Sequence, residues 1–178
     1  QLATAKPDVA LYMCTTGSFM DGRDGDEDIK RTLRRIIPQA KITTTSEAVV
    51  DAMGVLGMKS VAMLTPYDEA TTNREVAFLE SHGIGCPEYK FRDIYDNLDR
   101  GSVLPEESLS IASEFDVSAV DGIFLSCGNV RSVEILDELE ATSGKPVVSS
   151  AQASIWKAIR LAGIPEPVEG FGSLLREH

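Results

Sequence analysis

Short apolar or β-branched runs alternate with longer segments of helical period along almost the whole chain, and this alternation constrains the fold more than any other feature. VALYM at 9–13 precedes a helical pattern over about 26–36, KITT at 41–44 one over 46–56, and SVAML at 60–64 one over 70–82. IGCPEYKF at 84–91, GIFLS at 122–126 and PVVS at 146–149 lead into helical patterns near 105–114, 131–142 and 151–162. Strands that each feed a helix return by crossover connections, so the expected fold is α/β, with parallel sheet covered by helices on both faces. Gly57, Gly83, Gly144 and Gly163 each follow a helical pattern, where a left-handed residue ends a helix at least cost. Pro105 with Glu106 and Glu107 suits a first helical turn.

With 178 residues and 43% hydrophobic content, the chain can build one domain of ordinary size or two small lobes sharing an interface. No apolar run nears the roughly 18 residues a membrane span needs, and QLATAKPD lacks the layout of a signal peptide. The expectation is a soluble, cytoplasmic protein that neither spans a membrane nor binds nucleic acid. A net charge of −11 repels phosphate backbones, and the densest basic stretch, KRTLRR at 30–35, spreads its charges around a helix. A small anion is a different matter, since backbone N–H groups alone can make a pocket locally electropositive.

Cys14, Cys86 and Cys127 form no CxxC pair and no even-numbered framework, which points to reduced thiols. With only His82 and His178 to add imidazole, no metal site is expected. DGRDGDEDIKR has the look of a calcium loop but fails it: after Asp24, Asp26 and Asp28 the glycine position holds Ile29 and the twelfth holds Arg35. It reads as a solvated helix entry.

The chain also resembles itself. LYMCTTGS is similar to FLSCGNVR, and KITTTSEAVVDAMGVLG to KPVVSSAQASIWKAIRLAG, as if two halves followed one plan. Two strand–helix units, starting at Ser60 and Ile84, precede the second cysteine-bearing strand, whereas only QLATAKPD precedes the first. Equivalent halves would leave the first short of about two units, on the order of 50 residues. The expected partition is a first lobe of residues 1–57 with 151–178, lacking its N-terminal strands, and a second lobe of residues 58–150.

Ligands of open parallel sheets bind beyond the carboxyl ends of the strands, and Cys14 and Cys127 both fall there. Gly128 would let a ligand approach the backbone, Asn129 suits an N-cap, and Val130, Val133, Leu136 and Leu139 mark a helix starting at once. The N-terminus of such a helix can favour a thiolate and hold a carboxylate. Thr15, Thr16, Gly17 and Ser18 supply comparable donors around Cys14. Against this stands the plain alternative that a buried cysteine is a small hydrophobe, the reading adopted for Cys86. Either cysteine alone leaves the two readings balanced; two at matching positions of a repeat favour function. Tyr67, in TPY after SVAML, could donate its phenol to a carboxylate or enolate oxygen or could simply cap the core. TTTS at 43–46 and SS at 149–150 read as helix caps that could also line the cleft, Arg131 as an anion clamp or a partner of Glu134, and Trp156 as packing.

CTTGSF, TTTSEAVV, LTPY, SCGNVRS and PVVSSAQASIWKAIRLAG, in this order, resemble the aspartate/glutamate racemase superfamily. The resemblance is to its maleate cis–trans isomerase and arylmalonate decarboxylase branch, which includes isomerase-like proteins of ectoine utilisation. It implies two pseudo-symmetric α/β lobes with the active site between them, no metal or organic cofactor, and a dimer. It also implies Cys14 and Cys127 as the catalytic residues, one from each lobe, and carboxylate donors at Thr15, Tyr67 and the backbone near Gly128; Thr16 and Asn129 complete the expected binding set. The family's opening strand, which carries a Ser/Asn motif, has no counterpart in this chain. Having both cysteines favours an isomerase or racemase of a small carboxylic acid over a decarboxylase, with an amino-acid or hydantoin racemase, an inactive acid-binding accessory protein and a redox dithiol as the alternatives.

Overall fold

The computed structural model describes residues 2–178. Two parallel sheets carry the fold. β1 (Val9–Tyr12) pairs with β2 (Lys41–Thr44), and β3 (Ser60–Thr65), β4 (Gly85–Phe91), β5 (Gly122–Leu125) and β6 (Val147–Ser149) form the second sheet in the order β4-β3-β5-β6. The helices are α1 (Thr15–Phe19), α2 (Gly22–Ile36), α3 (Thr45–Val55), α4 (Glu69–Ser81), α5 (Asn97–Ser102), α6 (Pro105–Ala112), α7 (Leu136–Ser143), α8 (Ser150–Leu161) and α9 (Gly172–Glu177). The strands predicted from sequence are present to within a residue or so at each end. Among the described residues no helix is long and apolar enough to cross a membrane.

Side chains of a strand alternate between the two faces of its sheet, and the core divides accordingly. Val61, Met63, Phe124 and Val148 turn to one face and meet Ala48, Ala52 and Met53 of α3 and Ala153 and Trp156 of α8. Ala62, Leu64, Ile123, Leu125 and Val147 turn to the other and meet Ala112 of α6 and Leu136 and Leu139 of α7. Apolar residues on both faces are what a strand covered twice requires, which is why SVAML and GIFL read as continuous runs. Each Val, Leu, Ile, Phe or Met side chain buried in this way contributes about 1.5–3 kcal/mol, so these two layers dominate the stability.

Helix starts follow the hydroxyl residues. Thr44 Oγ1 accepts the Glu47 N–H at 3.1 Å to cap α3. Ser149 and Gln152 cap α8 reciprocally, each backbone N–H donating to the other's side-chain oxygen at 3.2 Å. The two helices that the internal repeat equates, α3 and α8, pack together, with Ser154 Oγ donating to Thr45 Oγ1 at 3.0 Å. Gly144 closes α7 at a φ of 65°, and Gly57, Gly83 and Gly163 take the same left-handed conformation.

Two expectations need correction. The acidic stretch before residue 26 is itself the start of α2, and its charges are not all solvated: Asp26 and Lys30 are buried. Lys30 Nζ meets Glu47 at 2.8 Å and Asp26 at 3.2 Å, while the Thr44 hydroxyl donates to Asp26, so the helix is pinned to β2 and α3 by a partly dry ion cluster. Burial alone would lower the Lys30 pKa, but the Glu47 and Glu27 carboxylates raise it well above its ordinary range. Second, the helix expected over 131–142 begins only at Leu136, after a 3₁₀ turn at Val133–Ile135.

Candidate active site

The carboxyl ends of β1, β3 and β5 converge on an open cleft of about 280 Å³. The seven residues that the resemblance makes catalytic or binding line it: Cys14, Thr15 and Thr16 after β1, Tyr67 after β3, and Cys127, Gly128 and Asn129 after β5; Gly17, Ser18, the TTTS at 43–46, the SS at 149–150 and Arg131 are not in its lining. Met13, Asn97 and Arg100 complete the lining.

Cys14 stands exposed at the N-cap of α1, in extended backbone, and Thr16 Oγ1 lies 3.8 Å from its sulfur. The Tyr12 hydroxyl hydrogen-bonds the same sulfur; burial and then the charge of Cys14 raise the Tyr12 pKa, which keeps the phenol a proton donor. Gly17 makes room for both, since a Cβ there would sit 2.5 Å from the Tyr12 hydroxyl and 3.1 Å from Cys14 Sγ.

Cys127 lies deeper, 6% exposed, with a φ of 82°. For a residue with a side chain the left-handed conformation is uncommon and is held here by its neighbours. Its N–H donates to Ser150 Oγ at 3.1 Å, and the next N–H, that of Gly128, donates to Thr15 Oγ1 at 3.2 Å. The helix terminus expected to aim N–H groups at Cys127 is therefore not there. The chain instead dips inward, burying Val130 and Ser132, and Asn129 does not cap: its side-chain amide donates to the carbonyl oxygen of Asn97 and, at 3.1 Å, to Asn97 Oδ1. The helix that starts beside a cysteine is α1, at Cys14.

Tyr67, 2% exposed, belongs to a small core of Phe19, Phe78, Val103, Cys127 and Val130 that forms the floor of the cleft. Its hydroxyl hydrogen-bonds the side chains of Cys127 and Ser126, and burial, reinforced by Glu75 and Cys127, pushes its pKa well above the ordinary range. The phenol is thus fixed as a donor. Tyr67 packs in this core, as one of its two sequence readings expects, and also lines the cleft. Beneath it Glu75 is buried, accepts the Ser126 hydroxyl at 2.6 Å on Oε1 and has no partner for Oε2 among the described residues. Burial raises its pKa to about 8, offset in part by Ser126, so the carboxyl is neutral at pH 7.

Cys86 is apart from the cleft, and burial, followed by Glu75 and Glu80, pushes its thiol up to about 12, as expected of a packing residue. Arg131 pairs with Glu134 at 3.0 Å and Trp156 packs in the core. Among the described residues no three of His, Cys, Asp and Glu converge as a metal site would require. Sequence reasoning missed Tyr12, Glu75, Asn97 and Arg100. The strand-end rule, applied to the segment following β4, is the signal that would have drawn attention to Asn97 and Arg100.

In the cleft, then, two thiols share one space with hydroxyl donors beside each, an arrangement suited to nucleophilic addition and to proton transfer at carbon. The arylmalonate decarboxylase family model matches residues 1–175. Maleate isomerase of Nocardia farcinica is 28% identical, over 99% of this chain and 72% of its own length. Arylmalonate decarboxylase of Bordetella bronchiseptica is 32% identical over 76% of this chain and 58% of its own. Among solved structures, a Nocardia farcinica maleate cis–trans isomerase mutant with a covalently bound succinylcysteine intermediate superposes with a TM-score of 0.94 at 26% identity, covering 99% of this chain and 74% of that one. A maleate isomerase from Pseudomonas putida matches with the same TM-score at 29% identity, covering 99% and 73% of the two chains. With a family model matched along nearly its whole length, the chain belongs to the arylmalonate decarboxylase family.

Proposed function

We propose that this protein is a cofactor-independent isomerase of a small carboxylic acid, most like maleate cis–trans isomerase, with Cys14 and Cys127 as its catalytic residues. The observation that carries the reading is the placement of both sulfurs on one cleft of small-molecule size, with the Thr15 and Tyr67 hydroxyls and the Gly128 backbone beside them. Because Thr15 Oγ1 already accepts the Gly128 N–H, its own proton is directed elsewhere and serves a carboxylate oxygen.

In the maleate version the Cys14 thiolate adds to one alkene carbon, and the alkene π pair moves toward the adjacent carboxylate as an enolate. Cys127 donates its thiol proton to the other alkene carbon, the one carrying that carboxylate, giving a thioether with a rotatable single bond. After rotation the Cys127 thiolate takes the proton back, the pair re-forms the alkene in the trans geometry, and the C–S bond breaks to return the Cys14 thiolate. Thr15 and Tyr67 stabilise the enolate oxygen as charge develops there. The succinylcysteine captured in the Nocardia farcinica enzyme is the kind of thioether this path passes through, which favours addition over α-proton exchange between two thiols.

The narrower parts of the proposal are a homodimer, a cytoplasmic location, where reduced thiols persist, and a role in ectoine utilisation. The division into lobes of residues 1–57 with 151–178 and 58–150 draws support from the two sheets, and from α8 packing on β1, β2 and α3. The test is incubation with maleate, aspartate, glutamate, hydantoins and ectoine-derived acids in D₂O, followed by proton NMR. Formation of a trans alkene from maleate supports the assignment. Deuterium exchange at an α carbon with racemisation would replace it by the racemase reading, and binding without conversion of any acid would leave an accessory protein.

A further inference from the structure

Glu75, on α4, lies behind the cleft and is 2% exposed. The void beside it is lined by uncharged residues, Thr15 and Phe19 of α1, Ser46 and Val49 of α3 and Phe124 of β5 among them. The titratable groups that feel its charge are Tyr67, after β3, and Cys86, on β4. Ser126 Oγ lies 2.6 Å from Glu75 Oε1, while Oε2 has no partner among the described residues. Ser126 also meets the Tyr67 hydroxyl, and that hydroxyl meets Cys127. The cation at this end of the cleft is Arg100, over the Tyr67 ring at 5.0 Å from its centroid. Four side chains, Glu75, Ser126, Tyr67 and Cys127, therefore run in series from the core to a cleft sulfur.

The direction of this series follows from counting protons, since Ser126 and Tyr67 have one hydroxyl proton each. An ionised Glu75 accepts the Ser126 proton, Ser126 then accepts from Tyr67, and no donor is left for the sulfur. A Glu75 protonated on Oε1 donates to Ser126 across the same contact, Ser126 donates to Tyr67, and the Tyr67 proton turns to Cys127. On Oε2 the proton would have no acceptor among the described residues, which favours Oε1. We infer that Glu75 is a positioning residue for Cys127: its carboxyl proton aims the Tyr67 hydroxyl at the sulfur through Ser126, and losing that proton in alkali withdraws the hydroxyl. Burial keeps the carboxyl neutral until the pH rises through about 8, which sets where the change occurs. The inference rests on Cys127 as the acid of the proposed isomerisation, whose thiolate, once formed, the Tyr67 donor stabilises.

Iodoacetamide alkylation of Cys127, read by peptide mass mapping at pH 7 and pH 9, tests this without any substrate. Glu75→Gln is neutral at both values, so its Cys127 rate rises at least about threefold more over this interval than that of the unmodified protein, where a carboxylate forms and opposes the thiolate. Ser126→Ala cuts the series with Glu75 intact and slows Cys127 at pH 7. A purely structural role has the opposite sign: a core loosened as Glu75 ionises speeds Cys127 in the unmodified protein and exposes Cys86 with it. Equal rises in the two proteins, a larger rise in the unmodified one, or a Ser126→Ala rate at pH 7 matching the unmodified rate overturns the inference. If no acid is converted yet Cys127 depends on Glu75 in this way, the isomerase reading fails and the inference stands. If maleate is isomerised and Glu75→Gln leaves the ratio of kcat at pH 9 to kcat at pH 7 unchanged, the reading stands and the inference fails.

Discussion

The Gly128 N–H donates to Thr15 Oγ1 across 3.2 Å, so the loop that follows one cleft cysteine is hydrogen-bonded to the first turn of the helix that follows the other. The link joins residues remote in sequence and is partly buried, Thr15 being 4% exposed and Gly128 half-buried. Thr15→Val keeps the shape and deletes the acceptor, leaving the Gly128 N–H unpaired at a partly buried site. The expected cost is about 1–3 kcal/mol in urea unfolding, together with a large loss of turnover because the spacing of the two sulfurs is no longer fixed. Thr15→Ser, which retains the oxygen, should recover most of both. Equal activity in the valine and serine variants would sink this account.

The cysteines should separate cleanly by chemistry. Cys14→Ser and Cys127→Ser are expected to fold and to lose turnover, whereas Cys86→Ala keeps it, since Cys86 is a buried hydrophobe whose thiol is pushed up to about 12. Iodoacetamide followed by peptide mass mapping should label exposed Cys14 first and buried Cys86 last. Preferential labelling of Cys86 would contradict the packing described for it.

Glu75 makes stability depend on pH with a definite sign. Burial raises its folded-state pKa from 4.5 to about 8, so between those values the folded protein keeps a proton that the unfolded chain has released. Its contribution is complete below pH 4.5 and is lost as pH rises through 8, with a slope of up to about 1.4 kcal/mol per pH unit. The neighbouring titratable groups that feel its charge are Tyr67 and Cys86, both pushed up by burial first and by Glu75 second. Glu75→Gln keeps an oxygen for the Ser126 hydroxyl and removes the titration. Urea midpoints measured at pH 5 and pH 8 should therefore converge in the variant; an unchanged difference would show that another group carries it.

How far the sequence alone reveals this molecule depends on the range over which each signal acts. Continuous apolar runs such as SVAML and GIFL, glycines after helices and hydroxyl caps are local, and they located the strands and most helices. The cysteine pair was legible because a repeat within the chain put both at strand ends. Asn129 shows the limit: an N-cap is a local inference, but here a long-range partner, Asn97, claims the side chain and delays the helix to Leu136. Lys30, Glu75 and Arg100 lie beyond local reading for the same reason. Their partners come from other elements, and nothing in the neighbouring sequence separates a buried charge from a solvated one. The short helices α1, α5 and α9 span too few turns to show a period.

Tyr12 and Gly17 provide the last prediction, because Gly17 leaves the space in which the Tyr12 hydroxyl meets Cys14 Sγ, a Cβ there crowding the hydroxyl at 2.5 Å more than the sulfur at 3.1 Å. A Cβ on Gly17 would fall 2.5 Å from the Tyr12 hydroxyl, the free end of a flexible side chain that can swing away, so Gly17→Ala should fold while separating the phenol from the sulfur. Tyr12→Phe removes the same hydrogen bond without adding bulk. A hydrogen bond from a phenol stabilises a thiolate, so both variants should slow iodoacetamide alkylation of Cys14 and turnover several-fold at neutral pH. The double variant should be no slower than the more impaired single one, since a contact already lost cannot be lost again. Strictly multiplicative effects would mean that Gly17 influences Cys14 by some route other than the Tyr12 hydroxyl.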